Sequence, residues 1–172
     1  MIDDEMERAA TALLAALRSR GQMLATAESC TGGLIAAALT AIAGSSDVVD
    51  RGFVTYSNAA KTEMLGVPAT LINLHGAVSA AVAQAMAEGA LARSVAALTV
   101  SVTGVAGPGG GSAEKPVGTV WFGLASPPYP VHTERQVFPG DRKAIRRATV
   151  LHAFKMLTGS FSPPIQEGAG GG

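Results

Sequence analysis

The chain has 172 residues, of which 48% are hydrophobic, with 13 Lys and Arg balanced by 13 Asp and Glu. That length suits one domain with a real core, and the zero net charge and pI of about 6.8 give no electrostatic footprint for nucleic acid or an anionic membrane. One cysteine, Cys30, excludes an internal disulfide framework; the acidic start Met1-Ile2-Asp3-Asp4-Glu5 is unlike a signal peptide, and no apolar run approaches the ~20 residues of a membrane span, so a cytoplasmic protein is expected.

From Asp3 or Asp4, apolar residues recur at Met6, Ala9, Ala10, Leu13, Leu14 and Leu17. That is helical spacing, with acids at the N-terminal end, Arg18 and Arg20 at the other, and Gly21 as a stop. A strand is predicted over 22–26 and an apolar helix over 30–42, separated by the hydroxyl-rich stretch Ala27-Glu28-Ser29-Cys30-Thr31-Gly32-Gly33, which puts Ser29 at or near the helix N-cap. After a turn at Gly44-Ser45-Ser46, Phe53-Val54-Thr55-Tyr56 reads as a strand, and Ser57-Asn58 caps a helix from Ala59 to Leu65 that Gly66 ends. Pro68 begins a short helix, and Ser79 caps a long one from Ala80 to about Ser94.

The run 95–102 is apolar and β-branched, as a strand buried on both faces should be. It enters the glycine loop 103–112. Strands over 118–125 and 131–138 follow with a short connection, which predicts an antiparallel pair, and Pro139-Gly140-Asp141 starts a last helix over 141–158. Alternating helices and strands with one hairpin predict a three-layer α/β/α sandwich with a mixed, mainly parallel sheet over residues 1–160, and a disordered glycine-rich tail over 161–172. The motif loops 27–33, 56–61 and 103–111 all leave strands at the end where such sheets bind ligands.

The chemistry follows from residue types at that edge. Free N–H groups at a helix start make 30–33 an anion or oxyanion site, though a serine there also serves as a simple cap. Ser29 needs a base, because a hydroxyl is a weak nucleophile at neutral pH. His75, His132 and His152 accompany no serine in a triad-like motif; Lys61, in the first turns of its helix, is a base if burial and the dipole lower its pKa, and an ordinary exposed lysine otherwise. Tyr56 is either a rim aromatic or a hydrogen-bond donor to substrate or Ser29. Cys30 is a rival nucleophile if it lies in the first helical turn. Gly104, Gly107 and their neighbours match neither the dinucleotide nor the Walker A pattern and read as a mobile loop or a backbone nest, with Thr103 adding a hydroxyl at its mouth. Arg142 and Arg146 lie one turn apart at a helix start, a solvated face or a phosphate site. No His-x-x-x-His, cysteine pair or Asp-rich loop predicts a metal, and no cofactor is expected.

Three stretches, Ala27-Glu28-Ser29-Cys30-Thr31-Gly32-Gly33, Tyr56-Ser57-Asn58-Ala59-Ala60-Lys61 and Ser101-Val102-Thr103-Gly104-Val105-Ala106-Gly107-Pro108-Gly109-Gly110, resemble the CinA C-terminal domain family. Pro116-Val117-Gly118-Thr119-Val120 and Gly140-Asp141-Arg142 extend the likeness over roughly residues 5–160. The family includes stand-alone nicotinamide mononucleotide deamidases, so the resemblance implies a metal-free serine amidohydrolase acting on a small nucleotide, with Ser29 as nucleophile and Lys61 as base. On that reading backbone N–H groups of Cys30, Thr31, Gly32 and Gly33 would supply oxyanion donors, Tyr56 and Thr103 would orient substrate or the pair, and the phosphate would be held either by the glycine loop with Gly104 and Gly107 or by Arg142 and Arg146. The N-terminal domain of the longer CinA proteins, which resembles molybdopterin-binding proteins, is not matched, so its activity is not expected. Two other readings are a non-catalytic nucleotide-binding module and the same hydrolysis with Cys30 as nucleophile. The alanine-rich helix faces 36–41 and 80–92 are compatible with a homo-oligomer such as a dimer.

Overall fold

A computed structural model describes residues 2–161 of the chain; the expected disordered tail from residue 162 onward lies outside the described residues. Six helices, α1 (Asp4–Ser19), α2 (Leu34–Thr40), α3 (Asn58–Leu65), α4 (Ala69–His75), α5 (Ala80–Ala92) and α6 (Arg142–Gly159), enclose one sheet. Its strands are β1 (Leu24–Glu28), β2 (Val49–Val54), β3 (Leu98–Gly104), β4 (Thr119–Ala125) and β5 (His132–Val137), in the order β2-β1-β3-β4-β5. β1 is parallel to β2 and β3, whereas β4 is antiparallel to both β3 and β5. Four of the five strands therefore point one way, and the three-layer α/β/α sandwich forms as the sequence predicts.

The two faces follow from side-chain alternation along β3. Leu98, Val100 and Val102 point into a core with α1, α2 and α6, where Met6, Leu13, Leu14, Leu17, Phe122 and Phe154 are buried. Thr99 and Ser101 point the other way and donate to the carbonyls of Ala87 and Ala83 on α5. Gly123 pairs with Ser101 in register, and a Cβ there would lie 2.5 Å from the Ala83 carbonyl oxygen, so α5 sits close against the sheet. Each large apolar side chain removed from water contributes ~1.5–3 kcal/mol.

Local signals place most element starts. Asp3, Ser57, Ser79 and Asp141 accept from backbone N–H groups as side-chain N-caps of α1, α3, α5 and α6. Two expectations are corrected. β2 spans 49–54 rather than starting at Phe53, because it is an edge strand whose exposed Arg51 and Gly52 hide its period; a Cβ at Gly52 would press to 2.9 Å from Thr26 Oγ1. The helix expected from residue 30 begins only at Leu34, because Gly32 (φ 56°) and Gly33 (φ 96°) are left-handed and keep 29–33 as a turn. β1 correspondingly runs on to Glu28.

Candidate active site

Ser29 therefore does not cap α2, and Cys30 is not in its first turn. The α2 N-cap is Gly33, with no side chain to offer. Its place is filled by Glu28, fully buried at the end of β1, whose carboxyl oxygens accept from Ile35 N (2.8 Å) and Ala36 N (3.0 Å) as well as from Thr31 Oγ1 (2.6 Å). A capping carboxyl delivered from the strand leaves the intervening residues free to form the turn that carries Ser29. Ser29 N donates to the Val102 carbonyl of β3, and Gly32 N closes the turn onto the Ser29 carbonyl at 3.0 Å. Gly32 N–H is thus taken, which removes it from the oxyanion donors expected over 30–33. Among the described hydrogen bonds, the N–H groups of Cys30, Thr31 and Gly33 have no protein acceptor.

Lys61 enters from the first turn of α3. It is 1% exposed, and its Nζ lies 3.0 Å from Ser29 Oγ, 2.9 Å from the Thr55 carbonyl and 3.4 Å from the Tyr56 carbonyl. Burial holds its pKa below the ordinary lysine value, which makes the neutral amine more accessible than on a free lysine. An amine in that form against a serine hydroxyl has the geometry that a general base and a nucleophile require. Cys30 points to the opposite chemistry. Its thiol is 6% exposed, and burial pushes its pKa up to about 12, which suppresses the thiolate.

Ser29, Cys30, Tyr56, Asn58, Lys61, Ala77, Val78, Thr103, Gly104, Ala106 and Arg142 line a cavity of about 220 Å³. The ends of β1, β2 and β3 all feed this cavity, as the placement of the three motif loops predicts. Thr103 is buried and donates to the Ala77 carbonyl, which ties the end of β3 to the α4–α5 connection. A Cβ on Gly104 would lie 2.7 Å from the Thr119 carbonyl oxygen, so the backbone approach there requires glycine. Tyr56 is 60% exposed; its hydroxyl accepts from Arg142 Nη2 (2.8 Å) and makes no bond to Ser29. Arg142 Nη1 donates to the Gly107 carbonyl at 2.9 Å, so this arginine links the tyrosine to the glycine loop.

A second cavity of about 640 Å³ adjoins the first through shared Ala106 and Arg142 and is lined also by Gly140, Asp141, Lys143 and Arg146. Arg146 donates from Nη2 to the Thr31 carbonyl (2.7 Å), and its buried Nε has no partner. Sequence reasoning did not assign Glu28, Asn58, Ala77 or Val78 to the site. Asn58 was legible only as part of a cap, and Glu28 only as a member of the motif. The three histidines lie outside this cavity; His132 and His152 both meet Glu134 on β5. Among the described residues no group of three or more His, Cys, Asp or Glu is placed to hold a metal ion, and no helix is long and apolar enough to cross a membrane.

The family model of the CinA C-terminal domain matches residues 6–161. The chain is 54% identical over 147 residues to the nicotinamide-nucleotide amidohydrolase PncC of Enterobacter agglomerans, covering 86% of this chain and 90% of that one. It is 48% identical over 161 residues to the protein of the same name from Escherichia coli strain K12, covering 94% and 98%. Among solved structures, the competence/damage inducible protein CihA from Agrobacterium tumefaciens superposes with a TM-score of 0.90 at 50% identity, covering 92% of this chain and 97% of that one.

Proposed function

The chain belongs to the CinA C-terminal domain family, and on that premise we propose that it hydrolyses the carboxamide of nicotinamide mononucleotide to nicotinic acid mononucleotide and ammonia through an acyl-enzyme on Ser29. The activity is that named for the relatives from Enterobacter agglomerans and Escherichia coli, which align with this chain over nearly their full length. The single observation that supports the mechanism is the buried contact of 3.0 Å between Lys61 Nζ and Ser29 Oγ.

Neutral Lys61 takes the Ser29 proton as Oγ attacks the carboxamide carbon. The carbonyl oxygen becomes an oxyanion, met by the N–H groups of Cys30 and Thr31, each well-aimed donor contributing ~3 kcal/mol. Lys61 then passes its proton to the leaving nitrogen, which departs as ammonia. Water enters and attacks the ester as Lys61 takes one of its protons; Lys61 returns that proton to Oγ as the ester bond breaks, releasing the acid and restoring Ser29. Two carbonyl acceptors hold the amine in line through both halves of the reaction.

The two adjoining cavities suit a two-part substrate. The carboxamide end occupies the smaller one beside Ser29, and the phosphate occupies the larger one at the α6 N-terminus, where Arg142 stands between them. The test is ammonia release from nicotinamide mononucleotide with identification of the deamidated nucleotide. Binding of the nucleotide without turnover would count against the enzymatic reading.

A further inference from the structure

We infer that Glu28 and Arg146 brace Thr31 through its hydroxyl and its carbonyl, and that this brace aims the Cys30 and Thr31 N–H groups beside Ser29. The inference rests on the reading of Ser29 as nucleophile. Thr31 is fully buried, with Oγ1 donating to Glu28 at 2.6 Å and its carbonyl accepting from Arg146 Nη2 at 2.7 Å. The peptide between Thr31 and Gly32 is therefore fixed at its oxygen by Arg146 and at its N–H by the Ser29 carbonyl. Glu28 and Ser29 are themselves anchored, the first by α2 N–H groups and the second by Val102 of β3. The turn is thus held on both sides of the Cys30 and Thr31 donors.

Arg146 comes from α6, 115 positions away in sequence, and leaves its own buried Nε unpaired to reach the Thr31 carbonyl. An unpaired buried donor is costly, so this placement is not one the guanidinium's own hydrogen bonding would select. Oxyanion stabilisation depends on donor position at the ångström level. Arg146 accordingly acts as a positioning residue for the turn.

Both roles are separable with Thr31→Val, Thr31→Ser, Arg146→Ala and Arg146→Gln, the last serving if the alanine variant does not fold. Labelling of Ser29 by a small alkyl fluorophosphonate reads the nucleophile turn without any substrate. Folded Thr31→Val and Arg146→Ala are expected to label about tenfold more slowly or worse, with Thr31→Ser recovering most of the loss. On nicotinamide mononucleotide and its dephosphorylated riboside, Arg146→Ala is expected to lower kcat by a common factor with KM within about threefold. Undiminished labelling of the folded variants, or a KM rise confined to the phosphorylated substrate, overturns the brace. A wild type unlabelled at Ser29 overturns it together with the nucleophile assignment. A wild type that labels yet releases no ammonia from the mononucleotide counts against the proposed substrate alone, and the labelling comparison still decides the brace.

Discussion

Lys61 Nζ and Ser29 Oγ lie 3.0 Å apart, joined across 32 positions of sequence by the adjacent ends of β1 and β2. Each residue is ordinary where it stands in the chain. Together, and buried, they form the contact proposed above as base and nucleophile. The fold achieves this by ending β1 at Glu28 and capping α3 with Ser57, so that the first turn of α3 faces the turn that follows β1.

Because burial lowers the Lys61 pKa, the active neutral form grows as pH rises. We expect kcat/KM to climb with unit slope on the acid side, with a midpoint below the 10.5 of a free lysine, measured as ammonia release across pH. Stability shifts in the same sense. Between the lowered folded value and 10.5 the unfolded chain holds the extra proton, so Lys61 costs stability at lower pH and this cost fades as pH rises. Urea unfolding of wild type against Lys61→Met is expected to show the difference moving in favour of wild type from neutral to alkaline pH.

Glu28 serves the end of β1, the turn at 29–33 and the first turn of α2 at once. Glu28→Ala leaves Ile35 N, Ala36 N and the Thr31 hydroxyl without their acceptor in a buried site. A loss of roughly 2–5 kcal/mol is expected in chemical denaturation. Activity is expected to fall further than the folded fraction does.

Arg142 borders both cavities and has its two terminal nitrogens on Gly107 and Tyr56. Arg142→Ala is expected to raise KM for the mononucleotide about tenfold or more while changing KM for the riboside far less. Tyr56→Phe removes one exposed bond to Arg142 and none to Ser29, so a loss below about tenfold is expected in the same assay.

Cys30 is buried with its pKa pushed up to about 12. Iodoacetamide at pH near 7.5 is therefore expected to leave it unmodified in the native protein, as read by peptide mass spectrometry, and to modify it after unfolding.

Much of this site was legible where signals are local. Ser57 and Ser79 announced their helices as caps, Pro139-Gly140-Asp141 announced the start of the last one, and the motif loops announced their shared sheet edge. The start of α2 was not legible, because its cap is the Glu28 carboxyl reaching forward from a strand rather than a neighbouring side chain. β2 was half hidden because an edge strand with exposed polar residues lacks the alternation of a buried one. The bond from Arg146 to Thr31 joins residues 115 positions apart, and no local pattern carries that information; the arginine instead suggested a phosphate ligand.

The central claim is that Ser29 is the nucleophile, and Ser29→Ala tests it most directly. Ser29→Ala removes one hydroxyl, and Lys61 keeps its contacts to the Thr55 and Tyr56 carbonyls, so this variant should fold. Ammonia release from nicotinamide mononucleotide is expected to fall about a thousandfold or more relative to wild type in protein of matched thermal stability. Turnover within about tenfold of wild type by folded Ser29→Ala would contradict the account.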